Sequence, residues 1–154
     1  MASQRVTQEN FGSWIMKCNP AVSNLPELIE HGVSSWCVQK TYRTRLFEPG
    51  QPVLLWVSGS ARATPAPGIW ATGHVTGPAD WRPSSSGEPP KYVVPLTLDF
   101  LPQPIPRALL VTHPALTDLE VLRQPQMSNP SFATRSQYAA LQHFLRTAQT
   151  PRAQ

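Results

Sequence analysis

Eighteen prolines in 154 residues constrain this chain more than any other feature. A proline inside a helix removes one hydrogen bond and collides with the preceding turn, so long uninterrupted helices are disfavoured over most of the chain. Strands, turns and stiff loops should dominate. The composition still demands a core. Hydrophobic residues make up 40% and charged residues only 14%, which is the balance of a folded chain and not a disordered one. This length suits one domain, expected over residues 13–148, with a loose polar tail at 1–12 and a second tail at 149–154.

The first strand is expected at Ser13–Cys18, inside WIMKCNP. Asn24 or Ser23 can cap a short helix over LPELIEH, with Pro26 in its first turn and Gly32 as its stop. VSSWCV reads as extended. VLLWVSG, rich in β-branched and aromatic residues, reads as a strong strand ended by Ser58 and Gly59. GIWATGHVTG (68–77) is its hairpin partner. KYVVPLTLDFL (91–101) is a further strand, whose Pro95 suggests an edge or a bulge. The intervening PADWRPSSSGEPP reads as a long loop. TRSQYAALQHFLRTA closes the chain with Tyr138, Leu141 and Leu145 on one helical face. About four to six strands and two or three helices make an α+β domain.

Enzyme signatures are missing from the sequence: there is no GxSxG, no glycine-rich phosphate loop, no HExxH and no paired carboxylate spacing. Cys18 and Cys37 are not spaced as a zinc clip, which needs about four ligands. No metal and no cofactor are expected. MASQRVTQEN lacks the apolar centre of a secretory signal, so a cytoplasmic location with free thiols is expected. No run approaches the ~20 apolar residues of a membrane span.

Binding residues are better represented. A net charge of +4 is compatible with a polyanionic partner. KTYRTR concentrates Lys40, Arg43 and Arg45 around Tyr42 without an acid, either as a solvated loop or as an edge that contacts phosphate. Of five tryptophans, Trp14, Trp56 and Trp70 read as core. Trp36 and Trp81 fall beside or within loops, where a ring can stack on a flat ligand for about 1–3 kcal/mol per base.

The ordered segments WIMKCNP, SSWCVQKTYRTR, PGQPVLLWVSG, PGIWATGHVTG and QPQMSNPSF resemble the EVE domain family, in particular its compact bacterial members. The match runs from Trp14 to about Leu145. That family belongs to the PUA-like group, with the YTH readers of methylated RNA. The resemblance implies a PUA-like small curved β-barrel flanked by helices, with a pocket on one face. It also implies a non-catalytic role: a modified base, such as 5-methylcytosine or N6-methyladenine, is flipped from DNA or RNA into an aromatic-lined pocket. Matched residue by residue, the pocket would take Lys17, Cys18 and Asn19 from the end of the first strand. Trp36 would be a wall, with Cys37 and Tyr42 beside it. Ser58 and Gly59 would form the mouth, and Ser128 and Asn129 the closing segment. Trp81 and Tyr92 compete for a second wall, while Lys40, Arg43 and Arg45 would meet the nucleic-acid backbone.

Two positions depart from the family pattern. Cys37 stands where many members carry an acid, and Val57 where many carry a histidine. Two alternatives stand beside this reading. A small ASCH-like amidohydrolase would use Lys17 with a carboxylate, for which the sequence offers no convincing partner. A sensor would bind a free nucleobase-like metabolite. The nucleic-acid reading needs no membrane and no second copy, so a monomer is expected.

Overall fold

SWIM and VLLWV carry large apolar side chains at consecutive positions, so a strand built from either needs cover on both faces. The computed structural model, which describes residues 4–60, 62–83 and 87–149, provides that cover. Strand β1 (Phe11–Cys18) and the later strand β3 (Pro52–Val57) lie side by side and parallel, in register from Trp14↔Val53 to Cys18↔Val57. Alternate residues point to opposite faces. Trp14, Met16, Val53 and Leu55 enter one core with Val94, Leu96 and Phe132. Ile15, Leu54 and Trp56 enter a second core with Leu110, Leu116, Leu119 and Leu141.

The other strands are β2 (Ser35–Cys37), β4 (Gly68–Val75), β5 (Asp80–Arg82), β6 (Lys91–Pro106) and β7 (Ser131–Thr134). The sheet runs β2-β6-β4-β3-β1-β7, with β5 also paired to β6. The α+β class expected from the sequence is the class observed. The expected barrel is an open curved sheet: its ladder does not close, although a Gln39 N–H donates to the Asn129 carbonyl at 2.9 Å and ties the segment after β2 to the segment that leads into β7. Gly73 lets β4 and β6 approach, since a Cβ there would collide with the Thr97 carbonyl.

Helices are short, apart from α4: α1 (Leu25–His31), α2 (Arg107–Leu110), α3 (Glu120–Arg123) and α4 (Arg135–Gln149), with 3-10 turns at Tyr42–Leu46 and Pro114–Leu116. Helix α1 is bounded as its sequence predicts. The Asn24 side chain accepts from the Glu27 N–H at 3.2 Å, and Gly32, at φ 79°, donates to Leu28 at 2.9 Å. Among the described residues no helix is long and apolar enough to cross a membrane.

Several elements differ from expectation. Strand β6 continues through Pro102, Pro104 and Pro106, because its register with β4 jumps from Phe100 to Ile105 and the proline-rich stretch occupies the irregularity. Part of the predicted PADWRPSSSGEPP loop is strand β5, and residues 84–86 of that loop lie outside the described residues. The segment 4–10, expected as tail, packs onto the domain: Val6 is buried and its N–H donates to the Tyr42 hydroxyl at 3.0 Å.

Arg43 requires a correction. Its side chain is only 4% exposed and Glu120 only 2%, and its two terminal nitrogens meet the two Glu120 oxygens at 2.6 and 2.8 Å. Nη1 also donates to Pro130 and Nη2 to Gln4. A buried guanidinium needs such a partner, so Arg43 is an internal tether and not a phosphate contact. Burial opposes its charge, but the Glu120 carboxylate and Tyr42 outweigh that, and its pKa rises. Glu120→Ala should cost about 3–5 kcal/mol in urea unfolding, because it strands a buried cation. The double variant with Arg43→Ala should lose much less than the sum of the two singles.

Candidate functional site

Strand alternation splits WIMKCNP between two destinations. Cys18 follows Trp14 and Met16 into the first core, and Trp36 packs against that same core from β2, opposite Val94. Lys17 pairs in register with Trp56, a member of the second core. Where β1 and β3 end together, a cavity of about 530 Å³ opens, lined by Lys17, Asn19, Trp56 and Ser58. Val121 and Leu122 of α3, with Pro125 and Met127, add an apolar wall, and Gln126 adds a further amide. Arg107, the first residue of α2, completes the polar lining next to Gly59.

Lys17, Asn19, Ser58 and Arg107 in this lining are each positioned by backbone. The Lys17 ammonium donates to the Pro125 carbonyl at 3.1 Å and to the Met127 carbonyl. Partial burial lowers its pKa, and the negative charge of Glu120 offsets part of that effect. Asn129 clips the same segment to β1: its Oδ1 accepts from the Lys17 N–H at 2.8 Å, and its Nδ2 donates to the Lys17 carbonyl at 3.0 Å. Ser58 donates to the Cys18 carbonyl from both its N–H and its hydroxyl, at 3.0 and 3.1 Å. Asn19 accepts from the Ala21 N–H at 3.0 Å, so it makes the turn into Pro20 while lining the cavity. Gly59 adopts φ 152°, a conformation that favours glycine, and its carbonyl accepts from Arg107 Nη1 at 3.0 Å.

Of the predicted pocket residues, the fold brings Lys17, Asn19, Ser58 and Gly59 to one cavity. Trp36 does not line it, because β2 lies across the sheet from β1. Cys18 is buried and Cys37 exposed, and both are free thiols. Tyr42 holds Val6 through its hydroxyl and has the Arg5 guanidinium 4.5 Å over its ring. Ser128 and Arg45 are exposed. A separate cluster forms on the β5–β6 arm. Trp81, 51% exposed, meets Tyr92 edge-on at 5.0 Å, and the Lys40 ammonium lies 6.0 and 5.7 Å from the two ring centres. Among the described residues no group of three or more His, Cys, Asp or Glu side chains is arranged to hold a metal.

Sequence reasoning missed Arg107, Leu122 and the buried carboxylate Glu120. Arg107 sits in a proline-rich stretch without a motif, and it reaches Gly59 across 48 residues. Glu120 meets Arg43 across 77 residues.

No family model matches the sequence, and no curated protein matches it. Solved structures share the fold. A hypothetical protein from Leishmania major is 17% identical, covers 94% of this chain and all of its own, and superposes with a TM-score of 0.68. Human THYN1, solved in complex with 5-methylcytosine containing DNA, is 15% identical over 91% of this chain and 99% of its own, with a TM-score of 0.57. The DUF55 domain of human thymocyte nuclear protein 1 is 16% identical over the same shares, with a TM-score of 0.54.

Burial raises the pKa of the Cys18 thiol, with a hydrogen bond to Ser23 working the other way. Titration of the native protein with a thiol-specific reagent should therefore register Cys37 promptly and Cys18 only after denaturation. Asn129→Ala leaves the Lys17 N–H and carbonyl without their side-chain partners. It should lower the unfolding free energy by about 1–3 kcal/mol in urea melts.

Proposed function

We propose that this chain is an EVE-type module that binds, without catalysis, a modified base displaced from nucleic acid, and that the cavity beside Lys17 receives the base. The observation that carries the reading is the mixed lining. Lys17, Asn19 and Ser58 supply hydrogen-bonding groups, and Val121, Leu122 and Met127 supply an apolar wall. A base has a polar edge and apolar faces, and leaves its stack at a cost of a few kcal/mol that such a lining can offset. A fully buried methyl group adds about 0.8 kcal/mol. The volume, about 530 Å³, falls within the roughly 300–1,000 Å³ of small-ligand sites.

Two further observations support this reading. The fold is shared with THYN1, whose structure holds 5-methylcytosine containing DNA. Lys40 over Trp81 and Tyr92 offers a cation and stackable rings to the flanking strand, and the exposed Arg45 adds a second cation. The amidohydrolase alternative needs a carboxylate beside Lys17 that can move a proton. Glu120 is the carboxylate whose charge reaches Lys17, but both of its oxygens are held by Arg43. Binding is therefore the better-supported reading.

The test is a panel of oligonucleotides, each carrying one modified base, at fixed salt because backbone affinity varies steeply with it. One modified base should bind preferentially. Lys17→Met should weaken that complex about 10- to 100-fold, the worth of a charged hydrogen bond, and weaken the unmodified control far less. Equal binding of every oligonucleotide defeats the reading. A free nucleoside that binds as tightly as the oligonucleotide favours a metabolite sensor.

A further inference from the structure

Two cations from elements far apart in sequence line the cavity, Lys17 at the end of β1 and Arg107 at the start of α2. Neither aspartate nor glutamate is among its lining residues. A neutral base can be satisfied by Asn19, Ser58 and a donor of Lys17, and it gives no reason for a second positive charge in the same hollow. The carboxylate whose charge reaches Lys17, Glu120, is already paired with Arg43, and charge of one sign in a concave, partly apolar site attracts an ion of the other sign.

The backbone holds both cations in place without neutralising them. The Arg107 N–H donates to the Pro67 carbonyl at 2.9 Å, and its Nη1 donates to the Gly59 carbonyl at 3.0 Å. That uses one of the five N–H groups of the guanidinium, and its planar fork suits an oxyanion. The Lys17 ammonium is oriented by two carbonyls, which carry no net charge. Leu122 and Met127 leave an apolar surface for a ring in the same hollow.

We propose that Lys17 and Arg107 together hold a phosphate, so that the cavity recognises a nucleotide and not a bare base. This rests on the reading of the cavity as a base-binding site. The phosphate belongs either to the strand that presents the base or to a free nucleotide, and the chemistry at the two cations is the same.

The experiment is calorimetric titration at low, fixed salt. Its probes are 5-methyl-2′-deoxycytidine, its 5′-monophosphate, inorganic phosphate and a short single strand containing one 5-methylcytosine. The monophosphate should bind at least about tenfold more tightly than the nucleoside, as a charge-assisted contact implies. Arg107→Gln should abolish that gap and Arg107→Lys should keep part of it, while thermal melts confirm that both variants are folded. The gap should also narrow as pH rises through the lowered pKa of Lys17, because the neutral amine no longer attracts the anion. A strand that outbinds the monophosphate assigns the phosphate to nucleic acid, and the reverse assigns it to a free nucleotide. Both outcomes support the proposal. Equal binding of nucleoside and monophosphate, or a gap that survives Arg107→Gln, overturns the phosphate site and leaves the base reading standing. Binding of inorganic phosphate with no tighter binding of any base-bearing probe overturns both.

Discussion

Arg43 and Glu120 meet in the interior with two hydrogen bonds between their charged ends. Removing two charges from water is costly, and such a pair is stable only with good geometry and with the remaining polar atoms satisfied. Here the guanidinium also binds the carbonyls of Gln4 and Pro130, and the Phe132 N–H donates to Glu120 at 3.3 Å. The pair therefore joins the N-terminal segment, the turn at Tyr42–Leu46, helix α3 and strand β7. Glu120 opens α3 and Pro130 immediately precedes β7, so both ends of the intervening segment are anchored. That segment forms the apolar wall of the cavity.

The other half of the cavity follows from two parallel strands that stop in register, Cys18 beside Val57. The paired register ends there, Ser58 closes it with two bonds to the Cys18 carbonyl, and Asn19 and Ser58 border the open hollow. The polar end of WIMKCNP thus has two explanations. Cys18 belongs to the core, while Lys17 and Asn19 belong to the cavity, because neighbouring strand residues face opposite ways. Asn129 then clips the wall to β1 through the Lys17 backbone. At this residue the backbone carries a strand contact and the side chain a cavity-lining charge.

Much of the framework was legible along the chain. Helix α1 was bounded correctly because its cap, its first-turn proline and its stop are all local. Strands β1, β3 and β4 announced themselves by apolar and β-branched runs. Strands β5 and β7 did not, since three or four residues carry too little pattern. The proline-rich end of β6 read as irregular because proline cannot donate to a ladder. Lys17, Asn19, Ser58 and Gly59, expected together from the resemblance, line one cavity, and Trp36, expected beside them, packs against the first core instead. KTYRTR reads as one exposed cluster, either a solvated loop or a phosphate-contacting edge, yet Arg43 is buried while Lys40 and Arg45 are exposed.

By itself, the sequence determined the bounds of helix α1, the extension of the long apolar runs in β1, β3 and β4, and that two faces of the central strands need cover. Those properties arise from caps, fixed proline dihedrals and alternation, all of which act over a few residues. Only the tertiary structure decided which cation is buried, which tryptophan lines a cavity and that Arg107 joins Lys17. Those outcomes depend on atoms brought together from 48, 77 and 112 residues apart, and desolvation and ion pairing take effect only once the chain has closed around them.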